Sequence, residues 1–238
     1  MRTIYLANGI VVALLLLAPF CLAQDPKNLI NKSQIPAEAD SVEKFVPRGW
    51  KIEERLTGDL NGDSVPDYAL KMVEDQPAKD SNDIATERQR ALVILLQKPG
   101  GSLSRAAVAD RLLQCTRCGG AFYGVMESPA NVQIQKGVIV VDQDHGSRDL
   151  TNTSYKFRYD AAGGQFILIG FDYVDADRLT ANVISESTNY LTGVRIVTRS
   201  KGGRDIKSRT AIAVKKTSIE QVDSEKFEEA AAKRLGLY

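Results

Sequence analysis

Apolar residues along most of this chain come in short runs broken by turn residues, rather than in long helical stripes. Two β-prone runs, 68–73 and 90–97, are separated by a charged stretch, 75–89, and residues 106–113 make a third candidate. Residues 132–135 and 138–141 flank Lys136-Gly137, the signature of a hairpin with a glycine turn. A second hairpin joins 155–159 to 165–171 through Asp160-Ala-Ala-Gly-Gly164, and its first arm alternates as a half-buried strand should. A third joins 185–190 to 194–199, and one more strand is expected at 209–215.

The two ends read differently. Residues 24–40 are polar and weakly periodic, which predicts an arm or tether, and 35–46 could hold a short helix between Pro36 and Pro47. Near the C-terminus Asp223 or Ser224 caps a helix-forming run to Leu235, with acids in the first turn and Lys233-Arg234 in the last. Phe227, Ala231 and Leu235 share one face of that helix. No βαβ rhythm appears. The expected fold is mainly β, α+β only at its ends: an antiparallel sandwich or curved sheet built from hairpins, with an N-terminal arm and a C-terminal amphipathic helix. Residues 41–238 read as a single domain, and Trp50 as an anchor of its first strand.

Before the arm lies a different pattern. Arg2 precedes the apolar run Ile10–Leu17, then Pro19, Cys21-Leu-Ala23 and polar Gln24. This is the layout of a secretory signal peptide, 1–23, cleaved after Ala23. A membrane anchor would need roughly 20 apolar residues, and Pro19 cuts this run short. The expected location is therefore periplasmic or secreted, with no membrane span in the mature chain. With Arg2 removed, the 31 basic and 30 acidic residues of the full sequence balance, which argues against a nucleic-acid partner.

Export changes how the cysteines are read. Cys115 and Cys118 remain after cleavage, in Cys115-Thr-Arg-Cys118-Gly-Gly. A redox dithiol normally sits at a helix N-terminus in a βαβ setting, and a zinc site needs two further ligands. A structural disulfide closing a tight turn needs nothing more, and an oxidising compartment favours it.

The sharpest chemical pattern is Asp59-Leu-Asn61-Gly-Asp63-Ser-Val65-Pro-Asp67. Oxygen-bearing side chains at this spacing, with the Val65 carbonyl, suit one hard cation, and Ca²⁺ takes about six to eight oxygen ligands. The loop is not an EF-hand: Leu70 stands where a bidentate Glu belongs and Ser64 where Gly belongs. A polar turn whose Asp and Asn side chains cap their own backbone accounts for the same residues, and the two readings stand side by side.

The string Gly58–Leu70 resembles the FG-GAP/VCBS-type calcium-loop repeat of integrin-like propellers and exported bacterial proteins. One copy is present, and a propeller needs about four blades, so the resemblance does not carry that fold. Phe45-Val-Pro-Arg-Gly-Trp50, the Asp-rich loop, the 91–95 run, Cys115-x-x-Cys-Gly-Gly and Asn189-Tyr-Leu-Thr-Gly193 occur in this order. Together they resemble a group of uncharacterised exported bacterial proteins with a single FG-GAP-like loop. That resemblance implies a compartment and an architecture, and no activity.

His145, the one histidine, lies in a polar cluster with Asp144, Arg148 and Ser147 after the 138–141 strand. Such a cluster could serve acid/base chemistry, or be a solvated turn with internal ion pairs. Phe122, Tyr123, Phe171, Tyr173 and Tyr190 could line a groove, although aromatic strand residues are usually core. The expected function is a non-catalytic binding or interaction protein of the bacterial envelope, meeting a protein or envelope component and binding Ca²⁺ at 59–67. The alternative is a periplasmic hydrolase centred on His145.

Overall fold

The computed structural model describes residues 29–237, so the expected signal peptide and its cleavage site lie outside the described residues. Among the described residues twelve strands form two antiparallel sheets, as the hairpin pattern predicts. The first sheet contains β1 (Glu38–Ala39), β2 (Trp50–Gly58), β3 (Asp67–Glu74), β4 (Arg90–Gln97) and β5 (Leu103–Ala109), in the order β1-β5-β4-β3-β2. The second runs in reverse sequence order from β12 to β6: β6 (Ala130–Gln135), β7 (Val138–Gly146), β8 (Asp149–Asp160), β9 (Gln165–Asp177), β10 (Asn182–Asn189), β11 (Val194–Lys201) and β12 (Arg204–Ala211).

One apolar core joins the inner faces of both sheets to the C-terminal helix α1 (Ser224–Leu235). Leu92 and Ile94 supply it from the first sheet, and Val141, Tyr155, Phe157, Phe166 and Phe171 from the second. Helix α1 adds Ala231 and Leu235, and its Phe227 packs edge-on to Phe171 with ring centroids 5.6 Å apart. The helix N-terminus is capped as expected, Asp223 accepting from the Lys226 amide, and Gly236 closes the C-terminus with φ 75°.

The N-terminal segment departs from expectation. A second core on the outer face of the first sheet is closed by Ile30 (3 % exposed), Ile35 (2 %), Val42 and Phe45. The described part of the expected arm is therefore packed down rather than hanging free. The same cover explains why β3 and β4 are near-continuous apolar runs: both of their faces are buried. No α-helix forms at 35–46. Ile35 is extended (φ −94°, ψ 113°), as a residue preceding proline must be, and only 3-10 turns flank it at Lys32–Gln34 and Val42–Phe45.

Two other boundaries shift. The strand expected at 106–113 is β5, and the one at 209–215 is β12, which begins five residues earlier. Gly202 and Gly203 both take positive φ (57° and 74°), the type I′ geometry that lets β12 fold straight back on β11. β12 is an edge strand exposed along its whole length. Among the described residues no helix is long and apolar enough to cross a membrane.

Candidate functional site

His145 does not follow a strand but belongs to one. β7 continues through Gly146, with His145 paired to Thr151 of β8. That register turns its ring toward α1, where Nε2 lies 2.6 Å from Glu228 Oε2. The hydrogen bond to Glu228 raises the imidazole pKa, desolvation opposes it, and the charges of Glu228, Asp144 and Asp175 add to the rise. The imidazolium is thus the favoured form over a wider pH range than in a free histidine.

The segment 111–118 is held along β7 by side-chain amides. Buried Gln143 donates from Nε2 to the Leu112 carbonyl (3.0 Å) and accepts from the Gln114 amide. Gln114 in turn donates to the carbonyl of Asp144 (3.1 Å). Cys115 and Cys118 are joined as a disulfide. Just beyond it the Gly146 amide donates to the Gly119 carbonyl (3.0 Å), so the disulfide turn and the end of β7 are directly tied. A side chain at Gly119 would collide with Tyr123 and Ser128, its Cβ lying 2.3 and 2.4 Å from their atoms.

Between these parts and the first turns of α1 lies a cavity of about 810 Å³. His145, Glu228 and both half-cystines line it. Asp110, Asp223, Glu225 and Glu229 supply further carboxylates, against the cations Arg111 and Lys226. Asp223 faces both of those cations at 3.4 Å, and Asp110 faces Lys32 at 3.2 Å. Ser224 contributes no free nucleophile, since its hydroxyl donates to the Arg111 carbonyl (3.2 Å).

The other members of the His145 cluster are dispersed. Asp144 accepts from the Tyr123 hydroxyl, whose pKa is pushed up to about 12, first by burial and then by that carboxylate. Arg148 turns outward to Asp177 (2.8 Å) and holds that carboxyl well below its ordinary range. The sequence pattern grouped His145 with Asp144 and Arg148; the structure pairs it with Glu228, 83 residues away. Nothing local in the sequence marks that partner, beyond its place on the polar face of an amphipathic helix. Of the aromatics, Phe171 and Tyr173 are core, while Phe122 is exposed under Arg178, whose guanidinium carbon lies 5.0 Å from the ring centroid.

The Asp-rich loop connects β2 to β3. Asp59 accepts the amides of Gly62 (2.7 Å) and Ser64 (2.9 Å), and Asp63 that of Val65 (2.8 Å). Asn61 accepts from the Asp63 amide (3.0 Å) and donates to its carboxylate (2.9 Å). Asp67, fully buried, bridges the amides of Leu60 and Gln97, both at 2.9 Å, and burial pushes its pKa up. Among the described residues no group of three or more His, Cys, Asp or Glu side chains is gathered around a common metal position. The oxygens of Asp59, Asn61, Asp63 and Asp67 serve donors of the protein itself, and Asn61 and Asp63 would have to release each other to face a cation. Ser64 holds φ 67°, a strained value for a residue with a side chain.

No family model matches the chain, and no curated protein matches it.

Proposed function

We propose that this is an exported, non-catalytic binding protein of the bacterial envelope, which takes a small cationic ligand, or the basic end of a partner chain, into the His145 cavity. The observation that carries this reading is a cavity large enough for a ligand, lined by five carboxylates against Arg111, Lys226 and His145, with Lys32 beside Asp110. Glu228 already faces His145, Asp223 stands against Arg111 and Lys226, and Asp110 against Lys32, so Glu229 is the side chain assigned to meet the ligand. The hydrolase alternative is less well supported. A nucleophile should be hydrogen-bonded to its base, whereas the lining hydroxyl serves a carbonyl and the lining thiols are oxidised.

Spermidine and trilysine, titrated into the mature chain and followed by amide NMR, test the proposal. The expected result is saturable shifts at His145 and 225–229, with binding weakened by Glu229→Gln. Shifts spread evenly over the surface, or absent at millimolar probe, would overturn it. Ester, glycoside or peptide hydrolysis lost in His145→Ala would favour the enzyme instead.

A second reading concerns the 59–67 loop, with Asp59, Asn61, Asp63, Val65 and Asp67 as the proposed Ca²⁺ ligands. Its support is the set of side-chain oxygens already wound into one loop. A bound cation there would fasten the β2–β3 connection.

A further inference from the structure

We propose that the Cys115–Cys118 disulfide is a thiol–disulfide exchange site opening on the His145 cavity, where a small neutral or cationic thiol attacks Cys118 Sγ. Four observations meet at this point. Both half-cystines line the cavity, so an incoming thiol has room to approach. The two sulfurs differ in access: Cys115 is 2 % exposed, whereas Cys118 is exposed to solvent. A purely structural bridge has little to do here, because closing so short a loop removes little entropy from the unfolded chain. Finally, the Gly146–Gly119 hydrogen bond fixes the turn to the strand end that carries His145.

The step balances without an oxidant. The thiolate RS⁻ attacks Cys118 Sγ, the S–S bond breaks, and Cys115 leaves with the bonding electron pair. The products are the mixed disulfide RS–S–Cys118 and a Cys115 thiol, with the proton of RSH ending on Cys115. A buried thiolate is a poor leaving group, so a proton donor in the same cavity matters. His145 lines that cavity, and Glu228 from α1, Asp144 from its own strand and Asp175 from β9 all favour its proton-bearing form. The wall carries five carboxylates against Arg111, Lys226, His145 and the Lys32 that meets Asp110, a balance that disfavours an anionic thiol and sets the substrate preference. The inference uses the cavity of the preceding proposal but not its non-covalent ligand. Exchange is read by mass and spermidine binding by NMR shifts, so either can fail alone.

The experiment treats the oxidised mature chain with cysteamine or thioglycolate, quenches with acid and reads adducts by intact mass and peptide mapping. A linear peptide of residues 113–120 carrying the same disulfide is the reference. The adduct is expected on Cys118, and the rate ratio of cysteamine to thioglycolate at least fivefold above that of the peptide. His145→Gln should slow exchange at least fivefold at pH 7 and match the parent at pH 9, a convergence that mere loosening of the fold would not give. An adduct on Cys115, the same ratio as the peptide, or reduction only in denaturant would overturn the proposal. Cys115→Ala, which leaves Cys118 as a lone thiol, gives a second measure. Rapid labelling by iodoacetamide in the folded state is expected, and labelling only after unfolding would count against the site.

Discussion

Glu53 holds Arg90 with both carboxylate oxygens, Oε2 to Nε and Oε1 to Nη2, each at 2.8 Å. Glu53 can do so because it is the extra residue of a β-bulge: pairing between β2 and β3 skips from Ile52 to Glu54. Arg90 is 2 % exposed, and its Nη1 also donates to the carbonyls of Ser128 (2.9 Å) and Gln114 (3.3 Å). One guanidinium thus ties β2, β4 and the segments flanking the disulfide. Removing the carboxylate would leave the buried charge only the more distant Glu127, at 3.8 Å, so Glu53→Gln should lower unfolding free energy by about 3 kcal/mol in urea melts. A loss below about 1 kcal/mol would show that Arg90 finds other partners. Glu53 titrates below the ordinary glutamate value, because Arg90 and Lys71 outweigh its desolvation. Its contribution is therefore present above pH 4.5 and fades as pH falls through the lowered folded value.

The His145–Glu228 pair has the opposite sign. Its imidazole pKa is raised, so the stabilisation is complete below about pH 6.5 and is lost as pH rises through the folded value. His145 is one-third exposed, which limits the pair to roughly 0.5–1 kcal/mol. Glu228→Gln should cost that much at pH 5.5 and almost nothing at pH 9. NMR titration should place His145 above 6.5 in the parent and lower in the variant. An unchanged His145 titration would remove Glu228 as the cause.

Calcium should act through the β2–β3 loop by linkage, since a ligand that binds only the folded state raises the melting midpoint. At millimolar Ca²⁺ a rise of a few degrees is expected, absent in Asp59→Asn with Asp63→Asn. No shift in the parent protein would end the cation reading and leave the self-capped turn. Ser64→Gly tests the loop without metal: relief of its positive φ should add up to about 1 kcal/mol.

Gly119→Ala should be costly out of proportion to one methyl group. The new Cβ meets Tyr123 and Ser128 side chains well inside contact distance, and overpacking of this kind costs about 1–3 kcal/mol. Loss should concentrate in amide exchange of 115–124 and the end of β7, because the Gly146–Gly119 bond goes with it. Uniform destabilisation would mean that the turn does not anchor the cavity wall.

The sheets were legible because turn residues punctuate the chain: Lys136-Gly137 and Asp160–Gly164 marked two hairpins, and Asp223 with Lys233-Arg234 marked the helix. Gly202-Gly203 carried the same signal for β12, and its turn geometry was there to be read. The packing of Ile30 and Ile35 was not, since two isolated apolar residues in a polar stretch show no period. The bulge at Glu53 leaves no mark on alternation strong enough to find by inspection. Most of the candidate site is of this second kind. Asp144 and His145 are neighbours in sequence, but the Glu228 carboxylate meets His145, and the disulfide shares its cavity, only through tertiary folding.

β12 has a consequence for how copies of this protein treat one another. An unpaired border eight residues long is an invitation to join sheets, and here Arg204, Lys207 and Arg209 stand on it with Asp205 as the sole opposing charge. Two molecules aligning along that border would press like charges together, so the protein polices its own stickiness by repulsion. Salt shortens the reach of that repulsion to about 3 Å at 1 M. Light scattering should therefore find single particles in dilute buffer and growing assemblies as salt rises, with Lys207→Thr and Arg209→Thr lowering the salt at which they begin.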